Sequence, residues 1–160
     1  GEDTLSLHDA LPIYYTKGLG APVGATLAGS KDFIKESWRH KQMMGGSMRQ
    51  SGVIAAAALY ALDHNWDRLA EDHDNARYLS EGIANIKGLE IDVPRMETNL
   101  VFFEVTKPGW TAAKLVDACK ERGVGIGANT ATRIRAVTHL DVNRADIDTA
   151  LKVIGDALAA

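Results

Sequence analysis

The first part of the chain combines short apolar runs with glycine-rich breaks. The aromatic and β-branched run at 14–16 is typical of a strand end. Three glycines and a proline within the next eight residues predict a turn, after which 25–28 can return as a second strand. Ser30 is a good N-cap for a helix that the glycine pair 45–46 ends.

Two further helices are predicted before the pattern changes. The segment 47–64 is nearly all apolar, so we expect a helix that is buried on most sides. The segment 67–86 places apolar residues at helical spacing on one face and charged residues on the other, which predicts an amphipathic helix.

After Gly88 the spacing indicates the order β-β-α-β-β-α. The predicted strands lie at 89–93, 99–105, 124–126 and 134–138. Thr111 caps the first helix, which Gly123 ends, and Asn143 caps the second. This order suits a small α+β layer with its helices on one face of a sheet.

Composition and charge mainly exclude classes of protein. Apolar residues make up 46% and charged residues 24%, as in an ordinary globular protein. A net charge of -3 gives no indication of nucleic acid or an anionic membrane as a partner. The longest apolar stretch, 53–62, is too short to span a bilayer. A single cysteine excludes a disulfide framework and suits a reducing compartment, so we expect a cytoplasmic protein.

The segment 3–13, DTLSLHDALPI, resembles letter for letter the conceptual translation of a common sequencing-library adapter. We interpret residues 1–13 as an artefact and exclude them from fold reasoning. Natural sequence is then expected to start near Tyr14, with the true protein extending further upstream.

Lys17 is the main candidate for chemistry. A lysine at a strand end, opening a glycine-rich turn, can act as a nucleophile, and the small neighbours Gly18 and Gly20 let a flat ring approach closely. Local composition alone favours the simpler interpretation of a surface turn, since most short motif matches are false.

A longer sequence pattern favours the catalytic interpretation of Lys17 over the surface turn. Three blocks carry it: TKGLGAPVGATLAGSKDFI, KQMMGGSMRQSGVIAAAALYALDHNWDRLAEDHDNAR and RIRAVTHLDVNRADID. In this order they resemble the low-specificity threonine aldolases of the aromatic β-eliminating lyase group. The resemblance covers nearly everything from Thr16 onward. It implies that Lys17 carries pyridoxal 5'-phosphate as a Schiff base.

The resemblance also implies a fold and a domain division. The expected class is α/β, the C-terminal half of a fold-type I pyridoxal-phosphate-dependent transferase-like fold. It would comprise the end of the large-domain sheet, connecting helices and a small α+β C-terminal domain. We expect residues 14–64 to belong to the cofactor-binding large domain and its connecting helix, and 65–160 to form the small domain.

Two arginines have expected roles. Arg49, in GGSMRQSG at a helix start, is implied to hold the cofactor phosphate, including across a subunit interface. Arg135, in RIRAVTH, matches the position that binds the substrate carboxylate, for which the planar guanidinium is well suited. Arg133 points to the same strand face, so sequence leaves it open as the alternative.

Other candidates receive structural interpretations. His139 is read as a structural residue, and Cys119 as an inert core residue. The remaining histidines lack metal-ligand spacing, so we predict no metal.

The parent protein is expected to cleave L-threonine or L-allo-threonine to glycine and acetaldehyde, as a dimer or tetramer. The groups that cup the phosphate and stack on the pyridine ring precede the lysine in the family, so we expect this chain alone to be inactive. The alternatives are another pyridoxal-dependent β-eliminating lyase, an aminotransferase-like enzyme, a dimerisation module or a non-catalytic truncated fragment.

Overall fold

The computed structural model describes residues 10–159. The chain divides into two compact units, the first ending at Asp67 and the second starting at Arg68. The expected boundary between the large and small domains, at 64/65, stays a prediction. The elements of the first unit are β1 (Ala10–Tyr14), β2 (Ala25–Gly29), α1 (Lys31–Met43) and α2 (Gly52–Asn65).

β1 and β2 form an antiparallel hairpin in which Tyr14 pairs with Ala25 and Ala10 with Gly29. Residues 10–13 therefore lie in a strand, whereas the sequence predicted no natural element before Tyr14. Strand pairing uses backbone groups, so a sequence of any origin can take part in it. The adapter interpretation stays a prediction, and residues 1–9 lie outside the described residues.

α1 begins and ends where the sequence predicts. The Ser30 side chain accepts a hydrogen bond from the Phe33 backbone N–H at 3.3 Å, which confirms the predicted N-cap. The helix ends at Met43, and Gly45 follows with a φ of 76°, a conformation that glycine adopts without strain.

α2 differs from its prediction in two ways. It starts at Gly52 rather than near 47, because Gln50 adopts a φ of 52°, which interrupts a helical path. The prediction of burial on most sides is wrong. Val53 is 78% exposed and Tyr60 62%, whereas only Ala58 and Ala61 are buried. Among the described residues, the hairpin and α1 leave most of this nearly all-apolar helix uncovered.

The second unit contains a four-stranded antiparallel sheet in the order β3-β4-β6-β5. Its elements are α3 (Leu69–Ala84), β3 (Leu89–Glu90), a short 3-10 turn (Val93–Arg95), β4 (Leu100–Val105), α4 (Ala112–Lys120), β5 (Gly127–Ala128), β6 (Arg133–Val137) and α5 (Arg144–Ala159). The predicted β-β-α-β-β-α order is confirmed, as are the Thr111 and Asn143 caps.

β4 and β6 lie within one residue of their predicted bounds, whereas the other two strands differ by more. β3 stops at Glu90 instead of 93, just before the 3-10 turn that contains Pro94. The segment 124–126 is not a strand. The Val124 N–H donates to the Cys119 carbonyl at 3.0 Å, which keeps this segment on the C-terminal turn of α4. β5 starts only at Gly127.

The core lies between one face of the sheet and the three helices. Alternate residues of β4 and β6 are buried in it, together with side chains of α3, α4 and α5: Val101, Phe103, Val105, Ile134, Ala136, Leu79, Ile83, Leu115, Cys119, Ile147 and Ile154. Cys119 is in this core, as the helical pattern predicted. Burial raises the pKa of its thiol, which favours the unreactive protonated form.

No helix among residues 10–159 is both long and apolar enough to cross a membrane.

Candidate active site

The turn between β1 and β2 presents Lys17. Two backbone hydrogen bonds close this turn: the Gly20 N–H donates to the Lys17 carbonyl at 2.9 Å, and the Ala21 N–H donates to the Tyr15 carbonyl at 2.8 Å. Gly20 has a φ of 68°, which explains the glycine at this position. The side chain of Lys17 is exposed.

Buried and hydrogen-bonded neighbours hold this turn in place. Leu19 is 5% exposed and Ala21 6%. The Asn65 amide, at the end of α2, donates to the Leu19 carbonyl at 2.8 Å. At the base of the turn, the hydroxyl groups of Tyr15 and Thr26 are 2.7 Å apart. The turn therefore presents an exposed amine on an anchored backbone.

Arg49 lies just before α2 and is exposed. Ser51, at the N-cap position, makes no side-chain cap bond. The first backbone N–H groups of a helix have no intrahelical partner, and the helix dipole makes this end favourable for an anion. Arg49 therefore directly precedes a helix start that suits a phosphate, where the Val53 N–H already donates to the Gln50 carbonyl at 3.3 Å.

A cleft of about 510 Å³ lies in the same unit. Tyr15, Gly24 and Thr26 of the hairpin line it, together with Gly46 and Ser51 from the segment before α2. It thus adjoins both the lysine turn and the GGSMRQSG segment. Lys17 and Arg49 themselves are not among its lining residues.

Arg135 is on β6, in the second unit. Ile134 and Ala136 point into the core, so Arg133 and Arg135 project from the opposite face of the sheet, as predicted. We call this face, with Phe102 and Glu104 of β4, the open face. Phe102 is the direct partner of Arg135 on β4, and Gly127 is its partner on β5.

The two arginines of the open face have different surroundings. Arg133 Nε is 3.7 Å from Glu104 Oε1, and its guanidinium carbon is 5.0 Å from the centre of the Phe102 ring. Arg135 takes part in none of the ion pairs or cation–π contacts found among residues 10–159. Its guanidinium is therefore available for a ligand.

A buried charged cluster was missed by the sequence reasoning. Asp72, on α3, is 1% exposed, and its Oδ1 is 3.2 Å from Arg68 Nη2. Its Oδ2 is 3.7 Å from His139 Nδ1. The spacing of Arg68 and Asp72, one helical turn apart, was an available signal. The contact of His139 with this carboxylate fits the structural role expected of the histidine.

A second set of bonds holds the end of β6. The Thr138 hydroxyl donates to the Asp72 carbonyl at 2.6 Å, and the Asn99 amide donates to the Thr138 carbonyl at 2.7 Å. Among residues 10–159, no group of three or more metal-ligating side chains is gathered for a metal ion.

Solved structures share this architecture. An L-allo-threonine aldolase, described as putative, from Listeria monocytogenes matches with a TM-score of 0.72 and 21% identity, over 93% of this chain and 44% of that one. The cysteine desulfurase CsdA from Escherichia coli also matches with a TM-score of 0.72, at 17% identity, over 94% and 46%. The chain therefore has part of the fold-type I architecture of pyridoxal-phosphate-dependent enzymes.

The sequence comparison is more specific. The profile described as beta-eliminating lyase matches residues 2–107, so the chain belongs to the beta-eliminating lyase family. The low specificity L-threonine aldolase of Escherichia coli K12 is 46% identical over 136 residues, covering 85% of this chain and 39% of the relative. The low-specificity L-threonine aldolase 1 of Arabidopsis thaliana is 36% identical over 151 residues, covering 94% and 42%.

These findings confirm the resemblance and the fold class inferred from the three sequence blocks. The chain spans about two fifths of the length of these curated relatives. The matched family range includes the segment 3–13.

Proposed function

We propose that the protein containing this chain is a pyridoxal-phosphate-dependent lyase that cleaves L-threonine or L-allo-threonine to glycine and acetaldehyde. The observation that carries this proposal is the exposed Lys17 on its anchored turn, in a chain of the beta-eliminating lyase family. The likeness to two named threonine aldolases supports the substrate class.

The residues present fit the cofactor. Lys17 offers the primary amine that a pyridoxal carbonyl requires, and Gly18 and Gly20 add no side-chain bulk beside it. The uncapped start of α2 and the Arg49 guanidinium offer hydrogen-bond donors and positive charge to a phosphate. Pyridoxal phosphate, when bound, supplies an electron sink for the negative charge left at Cα as the aldehyde departs.

Three side chains of this chain would then hold the cofactor and orient the substrate. Lys17 would hold the cofactor covalently through its side-chain amine. Arg49 would fix the phosphate end, and Arg135 would orient the substrate through two parallel hydrogen bonds to its carboxylate. When the substrate carboxylate is held in place, the orientation of the substrate is fixed, and this determines which bond to Cα is aligned for cleavage.

The proposal extends to the assembly and location of the whole protein. We propose a homo-oligomer, dimer or tetramer, acting in the cytoplasm on a small amino acid. The chain alone is expected to turn over little, because it spans only about two fifths of the length of the curated relatives.

A direct assay tests the reaction. The complete protein that contains this chain, supplied with pyridoxal phosphate and L-threonine, should release acetaldehyde, measured with alcohol dehydrogenase and NADH. The 160-residue chain should release none above background. Transfer of the amino group to a keto acid, without acetaldehyde, would show an aminotransferase instead.

Arg135→Ala in the complete protein should raise the KM for L-threonine about 10- to 100-fold, since it removes hydrogen bonds to a charged group. The visible absorbance of the bound cofactor should stay unchanged. Arg77→Ala, at an exposed position of α3, is the matched control and should leave KM unchanged. Loss of cofactor from the Arg135 variant would instead assign the phosphate role to this residue.

A further inference from the structure

The open face places two potential partners beside Arg135. Phe102 is directly opposite Arg135 across the β4–β6 pair, and Glu104 is opposite Arg133. Glu104 is therefore the diagonal neighbour of Arg135. Diagonal cross-strand neighbours are about 7–8 Å apart at Cα, a span that long side chains bridge.

Arg133 binds both of these partners. Its Nε is 3.7 Å from Glu104 Oε1, and its guanidinium carbon is 5.0 Å from the centre of the Phe102 ring. Arg135 has neither an ion pair nor a cation–π contact within the described part of the chain. The acid and the ring nearest to Arg135 across the β4–β6 pair are thus both in contact with Arg133 instead.

We propose that Arg133 is a positioning residue that keeps the Arg135 guanidinium free for a carboxylate ligand by binding Glu104 and Phe102. Without Arg133, Glu104 loses its ion-pair partner, and as the diagonal neighbour of Arg135 it competes with the substrate carboxylate for the Arg135 guanidinium. This inference rests on the proposed function, because it specifies how the substrate-binding arginine is kept available. It also gives different roles to Arg133 and Arg135, which the sequence left as alternatives for binding the substrate carboxylate.

The first test needs no enzymatic activity. The 160-residue chain is labelled with ¹⁵N-arginine, and the side-chain Nε–Hε signals are assigned by comparison with Arg135→Ala. In Arg133→Ala, the Arg135 signal should shift and acquire a pH dependence that follows a carboxyl group. In Arg133→Ala/Glu104→Gln, the signal should return close to its original position. An Arg135 signal that is unchanged in Arg133→Ala would overturn the proposal.

The second test uses the KM and kcat of the complete protein. Arg133→Ala should raise the KM for L-threonine about two- to fivefold, the competition expected from one exposed ion pair, with kcat unchanged. The added Glu104→Gln should restore KM, and Arg133→Lys should behave nearly as the original protein. If Arg133 bound the substrate itself, Glu104→Gln would not rescue the alanine variant, and the proposal would fail.

The two tests separate this inference from the proposed function. If the complete protein cleaves no threonine, the proposed function fails, while the NMR comparison still decides whether Arg133 shields Arg135. If Arg135→Ala raises KM but Arg133→Ala does not, the proposed function stands and this inference is wrong.

Discussion

Lys17→Ala is expected to abolish covalent attachment of pyridoxal phosphate and to lower kcat of the complete protein by about 10²–10⁴-fold or more. The reason is specific to the turn. Its backbone is held by hydrogen bonds that do not involve the lysine side chain, so truncation removes the amine without loosening the loop. The rest of the first unit should therefore fold as before.

The measurement combines two readouts. Visible absorbance after addition of pyridoxal phosphate reports covalent attachment, and acetaldehyde release reports turnover. Lys35→Ala is the matched control, because Lys35 is an exposed lysine of α1 in the same unit. The control should keep both signals. A Lys17 variant that retained the absorbance band and full turnover would exclude Lys17 from the chemistry.

Phe103→Ala should destabilise the second unit by about 3–5 kcal/mol, the usual result of truncating a fully buried aromatic ring. Phe103 is 2% exposed and lies on the core face of β4 between Val101 and Val105, which are also buried. These neighbours are parts of regular strands and helices, so the core cannot collapse fully into the space that the ring leaves.

Phe102→Ala provides the control on the same strand. Phe102 projects from the open face and is only partly buried. Its truncation should therefore lower the free energy of unfolding by less than half as much as Phe103→Ala does. Urea unfolding of the 160-residue chain, followed by far-ultraviolet circular dichroism, compares the two variants. If both variants lost the same free energy of unfolding, Phe102 as well as Phe103 would have to contribute to the core, which would contradict the assigned faces of β4.

The local features of the fold were predictable because their causes are local. The Ser30, Thr111 and Asn143 caps each satisfy backbone N–H groups within three residues, so the sequence contains the complete interaction. The element order of the second unit follows in the same way from hydrophobic spacing.

Features that depend on distant partners were not predictable. The apolar composition of α2 indicates that it must be covered, but it does not show how much covering surface the described unit provides. The position of β5 depends on pairing with β6, in which Gly127 lies opposite Arg135. Periodicity within 124–126 contains no information about that register.

The same distinction applies to the candidate site. The glycines around Lys17 indicated a tight turn because positive φ at Gly20 is a local property. The contact between Asp72 and His139 joins residues far apart in sequence and required the structure. Similarly, Arg133 and Arg135 differ only in their partners across the strands, which sequence spacing does not show.

Locating the covalently modified lysine tests the central claim most directly. The complete protein is incubated with pyridoxal phosphate, reduced with borohydride to fix the linkage, digested and analysed by mass spectrometry. The account predicts the phosphopyridoxyl group on Lys17, in the peptide that contains KGLGAPVG. Specific modification of another lysine, with Lys17 unmodified, would contradict it.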